Sequence, residues 1–121
     1  MMSYVEANKQ SGDVAYVYHH QKESFLYYAP KYGLSTGEYV LGTDFREHWK
    51  DGENDAYKKE IDQFRGRSRI WALFSHVRSQ GGVSEEDYIV KYLDSIGRRL
   101  DKFKHGTAAA YLYDLSYAVN E

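Results

Sequence analysis

Two stretches of this chain are apolar on both alternating faces, and that pattern constrains the fold more than any other. Asp13-Val14-Ala15-Tyr16-Val17-Tyr18 and Arg69-Ile70-Trp71-Ala72-Leu73-Phe74-Ser75-His76 run almost without a polar break in their centres. A strand that meets solvent on one side alternates apolar and polar residues. A strand covered on both sides reads as a continuous apolar run, as in a parallel sheet sandwiched between helices.

Helical stripes separate the strand segments. Phe25, Tyr28, Ala29 and Tyr32 fall at i, i+3, i+4 and i+7, and Pro30 should end or kink that helix, with Gly33 turning the chain. Glu38 to Leu41 predicts a short second strand, followed by Gly42-Thr43-Asp44. Tyr57, Ile61 and Phe64 predict a helix from Glu53 to Arg65, with Gly66 as its C-terminal cap. After the loop Ser79-Gln80-Gly81-Gly82, Ser84-Glu85-Glu86-Asp87 resembles a capping box. The helix behind it carries Ile89, Tyr92, Leu93 and Ile96, and Gly97 ends it. Leu100 to His105 has the charge of an edge strand, Gly106-Thr107 turns the chain, and Ala109 to Leu115 reads as a buried last strand. Residues 1–10 predict a short N-terminal helix or tail with Tyr4, Val5 and Asn8 on one side, broken by Ser11-Gly12.

Alternating strands and helices predict an α/β fold: a three-layer, Rossmann-like open sheet of about five strands, mostly parallel, with an antiparallel C-terminal hairpin. Right-handed crossovers favour the spatial order 2-1-3 for the first three strands. The final strand then lies beside the third, with Leu100–His105 outermost. All 121 residues fit one domain.

Composition excludes several functions. The chain holds 16 basic and 18 acidic side chains, so it has no cationic excess for a phosphate backbone, and nucleic acid is not an expected partner. No apolar run approaches the roughly 20 residues that span a bilayer, and the N-terminus MMSYVEANKQ lacks the apolar core of a signal peptide. The sequence as written therefore reads as cytoplasmic. There is no cysteine, hence no thiolate chemistry and no disulfide. The 13 tyrosines read first as amphipathic cover at the core's margin, and second as an aromatic surface for a ligand or partner.

In an open α/β sheet, ligands bind beyond the carboxyl ends of the strands where the crossover direction reverses. Order 2-1-3 puts that crevice between the first and third strands. Its rim is Tyr18, His19 and His20 from one strand end and Ser75, His76 and Arg78 from the other, with Asp44 nearby. The helix after His20 turns its N-terminal dipole toward the same place, which suits a small anionic or sugar-like ligand such as a phosphate, a carboxylate or an acidic sugar.

No cofactor and no catalytic residue is assigned. The first strand is followed by HHQKE, not by a phosphate-binding glycine loop. Ser75 and His76 point to opposite faces of a strand, so they form no dyad, and there is no G-x-S-x-G. His19, His20, His76 and Asp44 lack metal-ligand spacing, and no metal is assigned. Glu85-Glu86 and the Asp55/Glu60 pair read as carboxylates on helix starts or solvated faces, explained by helix dipoles and solubility rather than by acid–base catalysis.

The segments GDVAYVYHH (12–20), SFLYYAPKYGL (24–34), FRGRSRIWALFSHV (64–77) and LDSIGRRLDKFKHGTAAAYLYDLS (93–116), in that order, resemble the soluble C-terminal region of some bacterial polytopic glycosyltransferases. These are the polyprenyl-phosphate-sugar-dependent, mannosyltransferase-like proteins. The resemblance implies a Rossmann-like module outside the catalytic centre, whose acidic residues lie in a membrane part that is missing here. It also implies an extracytoplasmic site if the module is excised from such an enzyme.

The expected function is thus a non-catalytic α/β binding or interaction module. The alternative is a homo-oligomer joined through its edge strand and the Tyr111/Tyr113/Tyr117 tail. A small hydrolase or metalloenzyme using His76 with His19 or His20 ranks last.

Overall fold

The computed structural model of the chain describes residues 2–18, 25–27, 29–33, 38–51, 53–75, 79–80, 83–106 and 108–116. Its centre is a five-stranded sheet in the order β2-β1-β3-β7-β6. The strands are β1 (Val14–Val17), β2 (Tyr39–Leu41), β3 (Ile70–Phe74), β6 (Arg98–His105) and β7 (Ala108–Asp114). The helices are α1 (Met2–Asn8), α2 (Asp55–Asp62) and α3 (Glu85–Ile96), with 3-10 turns at Ala29–Tyr32 and Arg46–His48.

The order expected from right-handed crossovers is the order found. β1 lies between β2 and β3, parallel to both, with Tyr16 beside Val40 and Ala72. β7 then runs antiparallel to β3, and β6 antiparallel to β7 at the edge. The sheet is therefore parallel at the β2-β1-β3 end and antiparallel at the other, more evenly mixed than the expected mostly parallel sheet.

Alternation along the strands divides the core in two. Tyr16, Tyr18, Ile70, Ala72, Phe74, Tyr111 and Tyr113 face the side covered by Tyr57 and Ile61 of α2 and by Ile89, Leu93 and Ile96 of α3. Ala15, Val17, Trp71, Leu73, Ala110 and Leu112 face the other side, where Val5 of α1, Phe25 and Ala29 pack. All five β3 residues are buried, which accounts for the unbroken apolar run.

Element ends depart from expectation where local geometry is stronger than propensity. α2 begins at Asp55, because Asn54 caps it and accepts from the Tyr57 N–H, and it stops at Asp62. Gly66, expected at its cap, lies beyond Gln63 in a following turn, with φ +96° and its N–H bound to the Leu115 carbonyl. The α-helical stripe through Phe25 ends around Pro30 as expected, where Ala29–Tyr32 is a 3-10 turn. The expected loop at 79–82 begins with a short strand, β4 (Ser79–Gln80), which pairs with β5 (Val83–Ser84) just beyond it. Ser84 caps α3 as expected, accepting from the Asp87 N–H.

Gly97 ends α3 for a reason of space rather than of backbone angle, because its backbone is extended. A Cβ there would collide with Leu115 Cδ2 and lie 2.6 Å from the backbone oxygen of Asp114. A leucine tip can swing aside, but a carbonyl in the β7 ladder cannot. Gly97→Ala is expected to lower the unfolding free energy by about 1–3 kcal/mol in urea titration, and a variant as stable as the parent would show that β7 does not press on this turn.

Candidate functional site

The carboxyl ends of β1 and β3 are neighbours. Val17 is in register with Leu73, and the Tyr18 N–H donates to the Leu73 carbonyl at 2.9 Å. The loop leaving β2 closes on the same end, with the Gly42 N–H 2.7 Å from the Val17 carbonyl. A Cβ on Gly42 would sit 2.8 Å from that carbonyl oxygen, so glycine permits the approach. Tyr18, the 42–44 loop and Ser75 thus gather at one rim, with Ser75 half-buried and Asp44 exposed. His19, His20, His76 and Arg78 lie outside the described residues.

Tyr18 does not stand in the crevice as an open wall. Its side chain is 2% exposed, its ring centroid is 5.8 Å from that of Phe74, and its hydroxyl donates to Glu85. Glu85, at the first turn of α3, also accepts from Tyr57 Oη at 2.9 Å and Trp49 Nε1 at 3.2 Å. One fully buried carboxylate therefore joins the end of β1, the 45–49 segment, α2 and the start of α3. Placing it on a helix N-terminus suits its negative charge.

Glu85 and Glu86 stand at a helix start as expected, but they are buried rather than solvated. Glu86 accepts from Tyr111 Oη at 2.5 Å and faces Lys104 Nζ at 3.4 Å. The pattern repeats across the face. Tyr16 donates to Glu60 at 2.5 Å, and Tyr113 to Asp94 at 2.7 Å. Glu60 also takes Thr43, through the backbone N–H at 3.0 Å and Oγ1 at 2.6 Å, and so holds the 42–44 loop at the rim. A tyrosine rooted on the sheet is long enough to bring its hydroxyl to the helix layer, where a buried polar group needs a partner. Burial and the adjacent carboxylates push the hydroxyls of Tyr16, Tyr57, Tyr111 and Tyr113 well above the ordinary tyrosine range.

The same observation removes two residues from the expected oligomer surface. Tyr111 and Tyr113 are 4% and 0% exposed and belong to the core under α3. Tyr117 lies outside the described residues.

Between α2 and α3 is an open groove of about 380 Å³ that the sequence did not announce, framed by Lys58, Tyr88, Lys91 and Tyr92. Its polar groups largely serve one another. Lys58 Nζ is 2.9 Å from Glu53 Oε1 and lies 5.8 and 5.6 Å from the Tyr88 and Tyr92 ring centroids. Tyr88 Oη donates to Glu53, and Tyr92 Oη to Asp62.

At the opposite end of the sheet, Asp13 is buried and tied to Arg69 at 2.7 Å and Trp71 Nε1 at 2.9 Å, which clamps the starts of β1 and β3. Among the described residues no cluster of three or more metal-ligating side chains forms, and no helix is long and apolar enough to cross a membrane. Comparison with family models, with curated proteins and with solved structures gave no match.

Proposed function

We propose that this chain is a non-catalytic binding module of three-layer, Rossmann-like design, taking a small anionic or sugar-like ligand at the carboxyl ends of β1 and β3. The observation that carries the reading is the parallel pairing of β1 with β2 on one side and β3 on the other. That arrangement makes β1 the strand at which the crossover direction reverses, where open α/β sheets bind their ligands. Asp44 and Ser75, with the Tyr18 backbone, supply the described part of the rim. Tyr18 contributes as a fixed support through Glu85 rather than as a contact surface. Kinship with the soluble region of polyprenyl-phosphate-sugar-dependent glycosyltransferases is part of the same proposal. It rests on the four segments quoted above, and it would suit a carbohydrate ligand.

The test is an amide-resolved NMR titration with inorganic phosphate, a hexose phosphate and a hexuronic acid. A ligand with a Kd of about 1 mM or tighter should move the amides of Tyr18, Asp44 and Ser75 together. Unmoved rim amides with all three compounds at about ten times that concentration would end the proposal.

A further inference from the structure

β6 is the outermost strand, and among the described residues nothing pairs with its outer side. An edge strand leaves every other residue's N–H and C=O pointing outward, a template for another strand. Here the template is long, with eight residues that read Arg-Arg-Leu-Asp-Lys-Phe-Lys-His and are mostly exposed. A chain of net charge −2 has put four of its 16 basic side chains there, against one acidic residue. That residue, Asp101, is already engaged, accepting from Tyr4 Oη and the Lys102 N–H.

A bulge decides how the cations are displayed. The register shifts between Arg99 and Asp101, so Arg99 and Lys102, three apart, pair with Tyr113 and Tyr111 and share a face with Lys104. Arg99 and Lys102 lie 5.6 and 5.8 Å from the Tyr111 ring. Arg99 also meets Asp94 at 3.0 Å and Lys104 meets Glu86 at 3.4 Å, so of the three Lys102 is the cation with no carboxylate partner among the described residues. The opposite face of β6 carries Phe103, stacked on Tyr4 at 4.5 Å.

A second copy of the chain is a poor occupant. Antiparallel pairing of β6 with itself over its whole length sets Arg99 against Lys104 twice, and like charges directly opposite are destabilising, while the Asp101 that would face Lys102 is already taken up by Tyr4 and the Lys102 N–H. We propose instead that β6 docks an extended acidic peptide as a sixth strand. One acidic side chain would sit over Lys102, with others meeting Arg99 and Lys104 in exchange with Asp94 and Glu86, and its apolar or β-branched ones would fall on the Phe103 side. Ladder hydrogen bonds supply the affinity and the cations select the sequence.

The probe is a ten-residue peptide alternating glutamate with valine, compared by fluorescence anisotropy with its lysine–valine counterpart and with a glutamate peptide of equal charge interrupted by prolines. The alternating acidic peptide is expected to bind, to weaken as salt rises, and to slow hydrogen exchange at β6 amides, while rim amides at Tyr18 and Ser75 stay unmoved. Lys102→Glu, folded by circular dichroism, is expected to weaken it roughly fivefold. Absence of binding, equal binding of the proline-interrupted peptide or of a short oligonucleotide, or unaltered affinity in the folded variant would each overturn strand docking. If the variant fails to fold, the peptide comparison decides alone.

Discussion

Alanine in place of Glu85 is expected to lower the unfolding free energy by about 3–5 kcal/mol, a large share of what a domain of this size has in reserve. The substitution opens a cavity and takes the acceptor from two buried donors, Tyr18 Oη and Tyr57 Oη, and from the half-buried Trp49 Nε1. The two tyrosines would lose it where water does not reach, since both they and Glu85 are buried. Glu85→Gln keeps the volume and an acceptor oxygen and should cost about half as much. Tyr18→Phe removes one donor and orphans no other, and should cost about 1 kcal/mol. Urea denaturation of the three variants measures the ranking. A Glu85→Ala protein within about 1 kcal/mol of the parent would mean that the four segments are not held through this carboxylate.

Strong base is the second place where a large effect is expected. In the folded chain the hydroxyls of Tyr16, Tyr57, Tyr111 and Tyr113 are held protonated well above the ordinary tyrosine value, by burial first and by their carboxylate partners second. In the unfolded chain they ionise near pH 10. A folded-state value above the unfolded one gives stability that is complete below pH 10 and lost as pH climbs, because the unfolded chain then holds fewer protons. Four such groups together erode stability by roughly 5 kcal/mol per pH unit above 10. Tyrosinate absorbance near 295 nm should therefore rise in one cooperative step that coincides with loss of far-ultraviolet dichroism. Ionisation of most tyrosines near pH 10 with the fold intact would contradict the burial of these hydroxyls.

The sheet was legible because its determinants are local or topological. Val14–Val17 and Ile70–Phe74 are apolar at every position, and crossover handedness alone places β1 between β2 and β3. The cap at Ser84 and the charge of β6 could also be read directly. The carboxylate network could not, because acidic residues at a helix start have an adequate explanation in the helix dipole. One signal was present. Glu85, Ile89 and Leu93 recur every four residues, so the stripe that buries Ile89 and Leu93 also turns Glu85 inward. Weighed with the surplus of tyrosines on the facing strands, that spacing would have pointed to buried hydroxyl–carboxylate pairs. The bulge near Arg99 escaped for a different reason: it depends on how β6 fits β7, and a single strand's sequence does not encode its partner's register. Topology brings the ends of β1 and β3 together, and with them Tyr18 and Ser75, while four of the seven expected rim residues lie outside the described ones.

The pairing of strand tyrosines with helix acids has a mechanical consequence. Aliphatic burial is non-directional, so by itself it says little about where one layer lies along another. A phenol ring is a rigid strut of fixed length, and here Tyr16, Tyr18, Tyr111 and Tyr113 each end on a different carboxylate: Glu60, Glu85, Glu86 and Asp94. Four struts with four separate feet fix the standoff of α2 and α3 and also their lateral position. Phenylalanine at all four would preserve the spacing and release the feet, so the helices would remain above the sheet but drift across it.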